Sequence, residues 1–288
     1  MRIPSSSIRS QLLRTAFIIS LGSCLSTQDL KAATVYWDTN SDTAGSGNAG
    51  GNWDTGTNWS TDATGESATQ AWADGDDAVF SAGDDGTGNN TVTINGTIAP
   101  NSIVLEETGI ISLSGGSIDI TGGSLFDLSA LGTAGGNDST WDSAIIGTGN
   151  LTIAAQGSAS DTGDGSNSDL FLTGANTFVG DVVITSGVVR ADSNFGDGSN
   201  TLVFQGGGIV DTNLSLIVAN DIRVPIGQTG VYRTYGGVGN ARHTGALLGE
   251  GELKHTDGGT LRFQGDGSAF SGSINNVRGT IFLDTADW

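Results

Sequence analysis

Leu172-Thr-Gly-Ala-Asn-Thr-Phe-Val-Gly-Asp-Val-Val-Ile184 decides how the rest of the chain is read. A short apolar segment runs into a Gly-Ala-Asn corner, then Thr-Phe, then a second corner at Gly180-Asp181, then another apolar segment. Gly147-Thr-Gly-Asn-Leu-Thr-Ile153 stands before it in the same order, and Ser186-Gly187 leads into Val188-Val189-Arg190 after it. Such brief strands gain stability when the backbone coils and each coil lies over the one before. The order recurs. Gly180–Asp192 aligns without a gap on Gly272–Asp284, Leu172–Phe178 aligns on Phe263–Phe270 with one extra residue, and Gly149–Ile153 aligns on Gly251–His255. A repeat of this kind marks stacked architecture.

These residues resemble the autotransporter-associated β-strand repeat, also called the passenger-associated transport repeat. Residues 147–192 read as a full copy, interrupted by an insertion around Ser158–Ser168. Residues 249–284 read as a weaker copy, with Asp266-Gly267-Ser268 where Ala-Asn-Thr would stand. The resemblance implies a right-handed parallel β-helix, secreted or displayed at the cell surface. It implies no activity.

Composition agrees with an all-β solenoid. With 36% apolar residues the chain is too apolar for disorder, and its 47 glycines lack the three-residue period of collagen. From Thr91 onward, alternating segments such as Thr91–Ile94, Ser102–Leu105, Ile110–Leu113, Leu125–Leu128, Thr201–Phe204 and Thr280–Leu283 predict one buried and one wet face. Glycine pairs stand between them, where the chain turns. A coil of roughly 20–25 residues is expected, with each coil rising about 4.8 Å. A sandwich would instead show Asn-Gly hairpins, and Asn95-Gly96 is one dipeptide of that kind.

Three organisational units are expected: a signal peptide over residues 1–32, a Trp-rich N-terminal cap over 33–90, and a β-helix over 91–288 that stops mid-coil. Arg2, Arg9 and Arg14 supply a basic start, Ala16–Leu21 an apolar core, and Leu30-Lys31-Ala32 a cleavage point. Leu21-Gly-Ser-Cys24 also resembles a lipoprotein cleavage box, which would make Cys24 a lipidated first residue. Cleavage after Ala32 leaves no cysteine, and so neither disulfide nor thiol chemistry. Four of the six tryptophans (Trp37, Trp53, Trp59 and Trp72) crowd the next block. Bulky rings there would cover the open edge of the first coil. The rival reading is sugar stacking on exposed indole faces. At the other end, Asp284 is followed only by Thr-Ala-Asp-Trp288, so a missing C-terminal translocator or anchor is expected.

Charge narrows the partners. Residues 33–189 hold 20 Asp or Glu and no Lys or Arg, whereas residues 190–288 hold 10 acids and 7 bases. The formal charge is −20. Removing residues 1–32, with four bases and one acid, takes it to −23. Such a field repels phosphate backbones, so no nucleic-acid partner is expected. Extracellular glycans or other surface proteins remain as partners.

Catalysis finds little footing. Asp76-Asp77 and Asp84-Asp85 are paired acids, but Arg223, Arg233 and Arg242, the available bases, lie far away in sequence. A hydrolytic triad could draw only on His243 or His255, and no Gly-x-Ser-x-Gly elbow exists. Neither histidine has a metal-like partner at short spacing. Asp161–Asp169 has the composition of a calcium loop without its spacing. No catalytic residue, metal or small-molecule cofactor is expected, and the ligand-binding residues are unknown. The expected role is a non-enzymatic surface module for display or adhesion. The alternative is a β-helix that binds or cleaves polysaccharide.

Overall fold

Inward-facing apolar side chains stack into continuous rows. One row runs Val35, Ala78, Ile103, Phe126, Ile153, Ile184 and Phe204, each in parallel register with the next. All seven are buried. Their neighbours along each strand face out, as the two-residue period of a strand requires. The computed structural model describes residues 32–47, 50–106, 109–131, 139–155, 170–191, 195–211, 217–234 and 240–284. Among them the regular structure is strand throughout, with no helix.

The strands form a β-solenoid with three faces. The first sheet has ten strands, all parallel to their neighbours except Trp59–Ser60, which pairs antiparallel with Thr34–Trp37. The second sheet also has ten strands, from Gly51–Asn52 to Ser273–Asn276. The third face is divided into a three-stranded and a four-stranded sheet. Register steps on the first sheet run from Ala78 to Ile103 (25), Phe126 (23), Ile153 (27), Ile184 (31) and Phe204 (20). The two longest steps contain residues 132–138 and 156–169, which lie outside the described residues.

Three details add to the sequence expectations. The parallel ladder starts at Thr34–Trp37 and passes through Asp77–Phe80 into Ser102–Leu105, so it crosses residue 90 without a break. Asn95-Gly96 makes no hairpin, because Asn89–Thr93 and Thr97–Ile98 belong to different sheets. It is a corner gripped by one carboxylate: the N–H groups of Asn95 and Gly96 donate to Asp54 Oδ1 and Oδ2 at 2.9 and 2.7 Å. Burial alone would push Asp54 up, but these bonds outweigh it and hold the carboxyl below its ordinary range. The aligned repeat copies also lie on different faces. Leu151–Ala154 and Val182–Ser186 are in the first sheet, whereas their counterparts Glu252–Thr256 and Ser273–Asn276 are in the second. The motif therefore specifies the order of strand and corner, and the second copy is turned by one face.

Where the third face breaks, asparagines replace the sheet. Ile145 N–H donates to Asn176 Oδ1 (2.9 Å), and Phe178 is buried beside it. Asn200 accepts from Gly180 N–H and donates to the carbonyls of Phe178 and Phe195, each at 3.0 Å. Asn220 accepts from Phe195 N–H at 3.0 Å and donates to Asp197 O at 2.9 Å. Backbone polar groups that no strand pairs with are met by these side-chain amides, of which Asn200 and Asn220 are buried.

The indoles of Trp37, Trp53 and Trp59 are buried against Phe80, with ring centroids 4.9–5.5 Å apart. The half-buried Trp72 packs on Trp53 and Trp59, and its Nε1–H donates to Asp74 at 3.0 Å. Three of the four indoles thus have no face free for a sugar ring.

Candidate binding groove

The outer face of the first sheet carries a groove of about 560 Å³. One row of outward side chains forms it: Thr34, Asp77, Ser102, Leu125 and Thr152 stand in register on five adjacent parallel strands. Four steps of about 4.8 Å make it about 19 Å long, running along the solenoid axis. Val79 and Val104, paired in the next row, add an apolar floor. Asn101 and Asn150 form a polar rim where the chain corners before each strand. Asn101 Nδ2 and the Ser102 hydroxyl donate to Asp77 Oδ1 at 2.7 and 2.6 Å. Asn150 Oδ1 accepts from Asp181 N–H at 2.9 Å, so its amide N–H groups remain as donors. The groove offers hydroxyls, amides and one hydrogen-bonded carboxylate over an aliphatic floor. That set suits polar, uncharged ligands and has no built nucleophile–base pair.

A second hollow of about 770 Å³ is acidic, with Asp84, Asp85 and Glu106 beside Gly45, Thr64 and Gly83. Asp85 Oδ1 accepts from the N–H and hydroxyl of Ser46 at 2.7 and 3.0 Å. Burial pushes Asp85 up, but these bonds outweigh it and the net direction is down. Asp38 is fully buried nearby. Its Oδ1 accepts from the N–H groups of Asn40 and Ser41, while its Oδ2 has no partner. Desolvation, with Asp85 and Asp42 adding to it, holds the Asp38 carboxyl above its ordinary value. Among the described residues no three His, Cys, Asp or Glu side chains converge on a metal position.

The groups weighed for catalysis are dispersed. Asp77 borders the groove, and Asp84 and Asp85 the acidic hollow. Arg223 lies on the first sheet with five strands between its own and that of Asp77, and it is exposed, as is Arg242. Arg233 is buried, its Nε 3.7 Å from Asp257 Oδ2. His243 and His255 are fully buried. The segment Asp161–Asp169, the Cys24 region and the terminal residues 285–288 lie outside the described residues. Sequence reasoning missed the groove, because its residues come from five strands and share no motif.

Fold and groove together define a parallel β-solenoid whose first sheet carries a groove along the solenoid axis. In sequence the chain is similar to the adhesin BmaC autotransporter of Brucella suis biovar 1 (strain 1330), at 29% identity over 287 residues. That match covers 92% of this chain and 8% of the adhesin, so the chain spans about a twelfth of its relative's length. No protein-family model matches the chain. No solved structure matches it.

Proposed function

We propose that the chain is a stretch of the passenger of a surface adhesin, a β-helical module for extension, display and adhesion with no catalysis of its own. The observation that carries this reading is the likeness to an autotransporter adhesin along nearly the whole chain. The repeat resemblance at residues 147–192 and 249–284 supports it, as does a body whose long outer faces can present contacts at intervals. On this reading residues 1–32 direct export, residues 33–90 cap the first coil, and a translocator or anchor lies elsewhere in the full protein. Each coil would template the next as the chain emerges. Partners would be extracellular glycans or other surface proteins, and the acidic charge disfavours nucleic acid.

The test joins residues 33–288 to an outer-membrane translocator in a non-adherent bacterium. Protease accessibility should show surface exposure, and the cells should be retained on host-cell layers above an empty-translocator control. Exposure without retention would overturn the adhesive role, and absence of exposure the display role. The groove supports a second reading, polysaccharide binding or cleavage. A glycan array and a lyase assay with and without calcium test it: binding or turnover lost on Leu125→Asp supports it, and blanks in both remove it.

A further inference from the structure

Two inward rows that are otherwise mostly apolar each carry a histidine in the late coils. On the second sheet the row runs Leu170, Val189, Ile209, Tyr232 and then His255, followed by Asn276. On the third face Val218, His243 and Phe263 stand in register. Among the described residues the buried Asp, Glu, His, Lys and Arg side chains are Asp38, Arg233, His243, His255 and Asp257, so four of the five fall within positions 233–257. In the earlier coils the described buried side chains are apolar or uncharged polar, with Asp38 the exception.

The two histidines are held differently. Asn276 Oδ1 can only accept, so His255 Nδ1 carries the proton and donates to it at 2.8 Å. His255 Nε2 then accepts from the Thr234 hydroxyl at 3.0 Å. His243 is held less firmly. Neither ring nitrogen makes a well-formed hydrogen bond, although the Ala246 backbone lies close enough to favour the charged ring, and the ring lies edge-on to Phe263 and Tyr232, with centroids 5.5 and 6.2 Å away. The charged groups on elements around it are engaged or exposed. Arg233, next to Tyr232, pairs with Asp257; Arg242 on its own strand is exposed; Arg262 beside Phe263 pairs with Asp284 at 3.2 Å. A proton on His243 would therefore bury a cation with no counter-ion, its one nearby polar support being the Ala246 backbone.

We propose that the coils holding His243 and His255 are an acid-labile section of the solenoid, opening on histidine protonation while the coils from Thr34 to Leu128 stay closed. Desolvation drives the His243 pKa down to about 4, against the opposing effect of the Ala246 backbone. Desolvation also lowers that of His255, against the opposing effects of Asn276 and Asp257. Both shifts lie below the unfolded value of about 6.5, so the open state binds protons more readily than the closed one. Closure is complete above that value and weakens as pH falls toward 4. A shift from about 6.5 to about 4 permits at most about a 300-fold rise in opening, and about 30-fold between pH 7.5 and 5.0. Coils contact only their neighbours, so one section can open alone.

Hydrogen exchange on the chain at pH 7.5 and 5.0, corrected for intrinsic rates, tests the proposal. Amides of residues 240–263 should open about 30-fold more at pH 5.0, and those of residues 78–128 less than about 3-fold more. His243→Phe, which copies Phe263 in the same row, and His243→Leu should remove most of that rise. A rise below about 5-fold in the wild-type chain, or a full rise in either folded variant, would overturn it. An NMR titration of His243 in the wild-type chain decides the matter without variants: titration near pH 4 supports the proposal, and titration near 6.5 defeats it.

Discussion

Replacing Asn220 by Asp tests the amide stack that bridges the gap in the third face. Asn220 is fully buried. Its Nδ2 faces the carbonyls of Asp197, Asn200 and Phe195 at 2.9, 3.3 and 3.4 Å, and its Oδ1 accepts from Phe195 N–H. Aspartate keeps the shape and the acceptor but loses both donors. One or two hydrogen bonds at about 1 kcal/mol each are lost, and a buried carbonyl is left short of a partner at a further 1–3 kcal/mol, giving a deficit of about 2–5 kcal/mol. A protonated carboxyl donates one bond, so the new group should hold its proton to higher pH than a free Asp. The variant's deficit against wild type should therefore shrink as pH falls through that raised pKa. Urea unfolding by circular dichroism at pH 7.5 and 4.5 measures both effects. A deficit below 1 kcal/mol at pH 7.5, or one that does not change with pH, would refute the reasoning.

Ile184→Ala removes a fully buried link between Ile153 and Phe204 and should cost about 2–5 kcal/mol in urea unfolding. Gly208→Ala places a Cβ against the carbonyl of Val231 in the next coil, and should cost about 2–3 kcal/mol by forcing two coils apart. Asp38→Asn keeps the acceptor for Asn40 and Ser41 and removes a buried charge beside Asp85 and Asp42. Its Tm at pH 7 should exceed that of the wild type, an advantage that fades as pH falls and the native carboxyl is neutralised.

The stacked architecture was legible because it rests on short-range order. Alternation fixes inside and outside, and the stretch from Leu172 to Ile184 already carries strand, corner and strand. Which face a strand occupies was not legible. The motif at Gly149–Ile153 and its copy at Gly251–His255 fit different sheets, because any brief alternating strand can lie on either face. Asn95-Gly96 misled for a related reason: its partner is Asp54, far away in sequence, and that carboxylate sets the turn. The tryptophan block drew attention away from the strands inside it, although Val35 and Ala78 open the inward row. The groove and the inward histidines stayed hidden because both depend on which residues of successive coils share a row. Asn200 and Asn220, one coil apart, were the available signal for the amide stack.

Cysteine pairing across the outer face of the first sheet probes the in-register parallel stacking on which all of this depends. Thr152 and Val183 are paired in register on adjacent strands, as are Val183 and Val203. Neighbouring parallel strands lie about 4.8 Å apart, within disulfide reach, whereas two strands apart is about 10 Å and beyond it. In a Cys24→Ser background, mild oxidation should cross-link the 152/183 and 183/203 double-cysteine variants and leave 152/203 open. Efficient closure of 152/203, with 152/183 and 183/203 both unreactive, would contradict the solenoid.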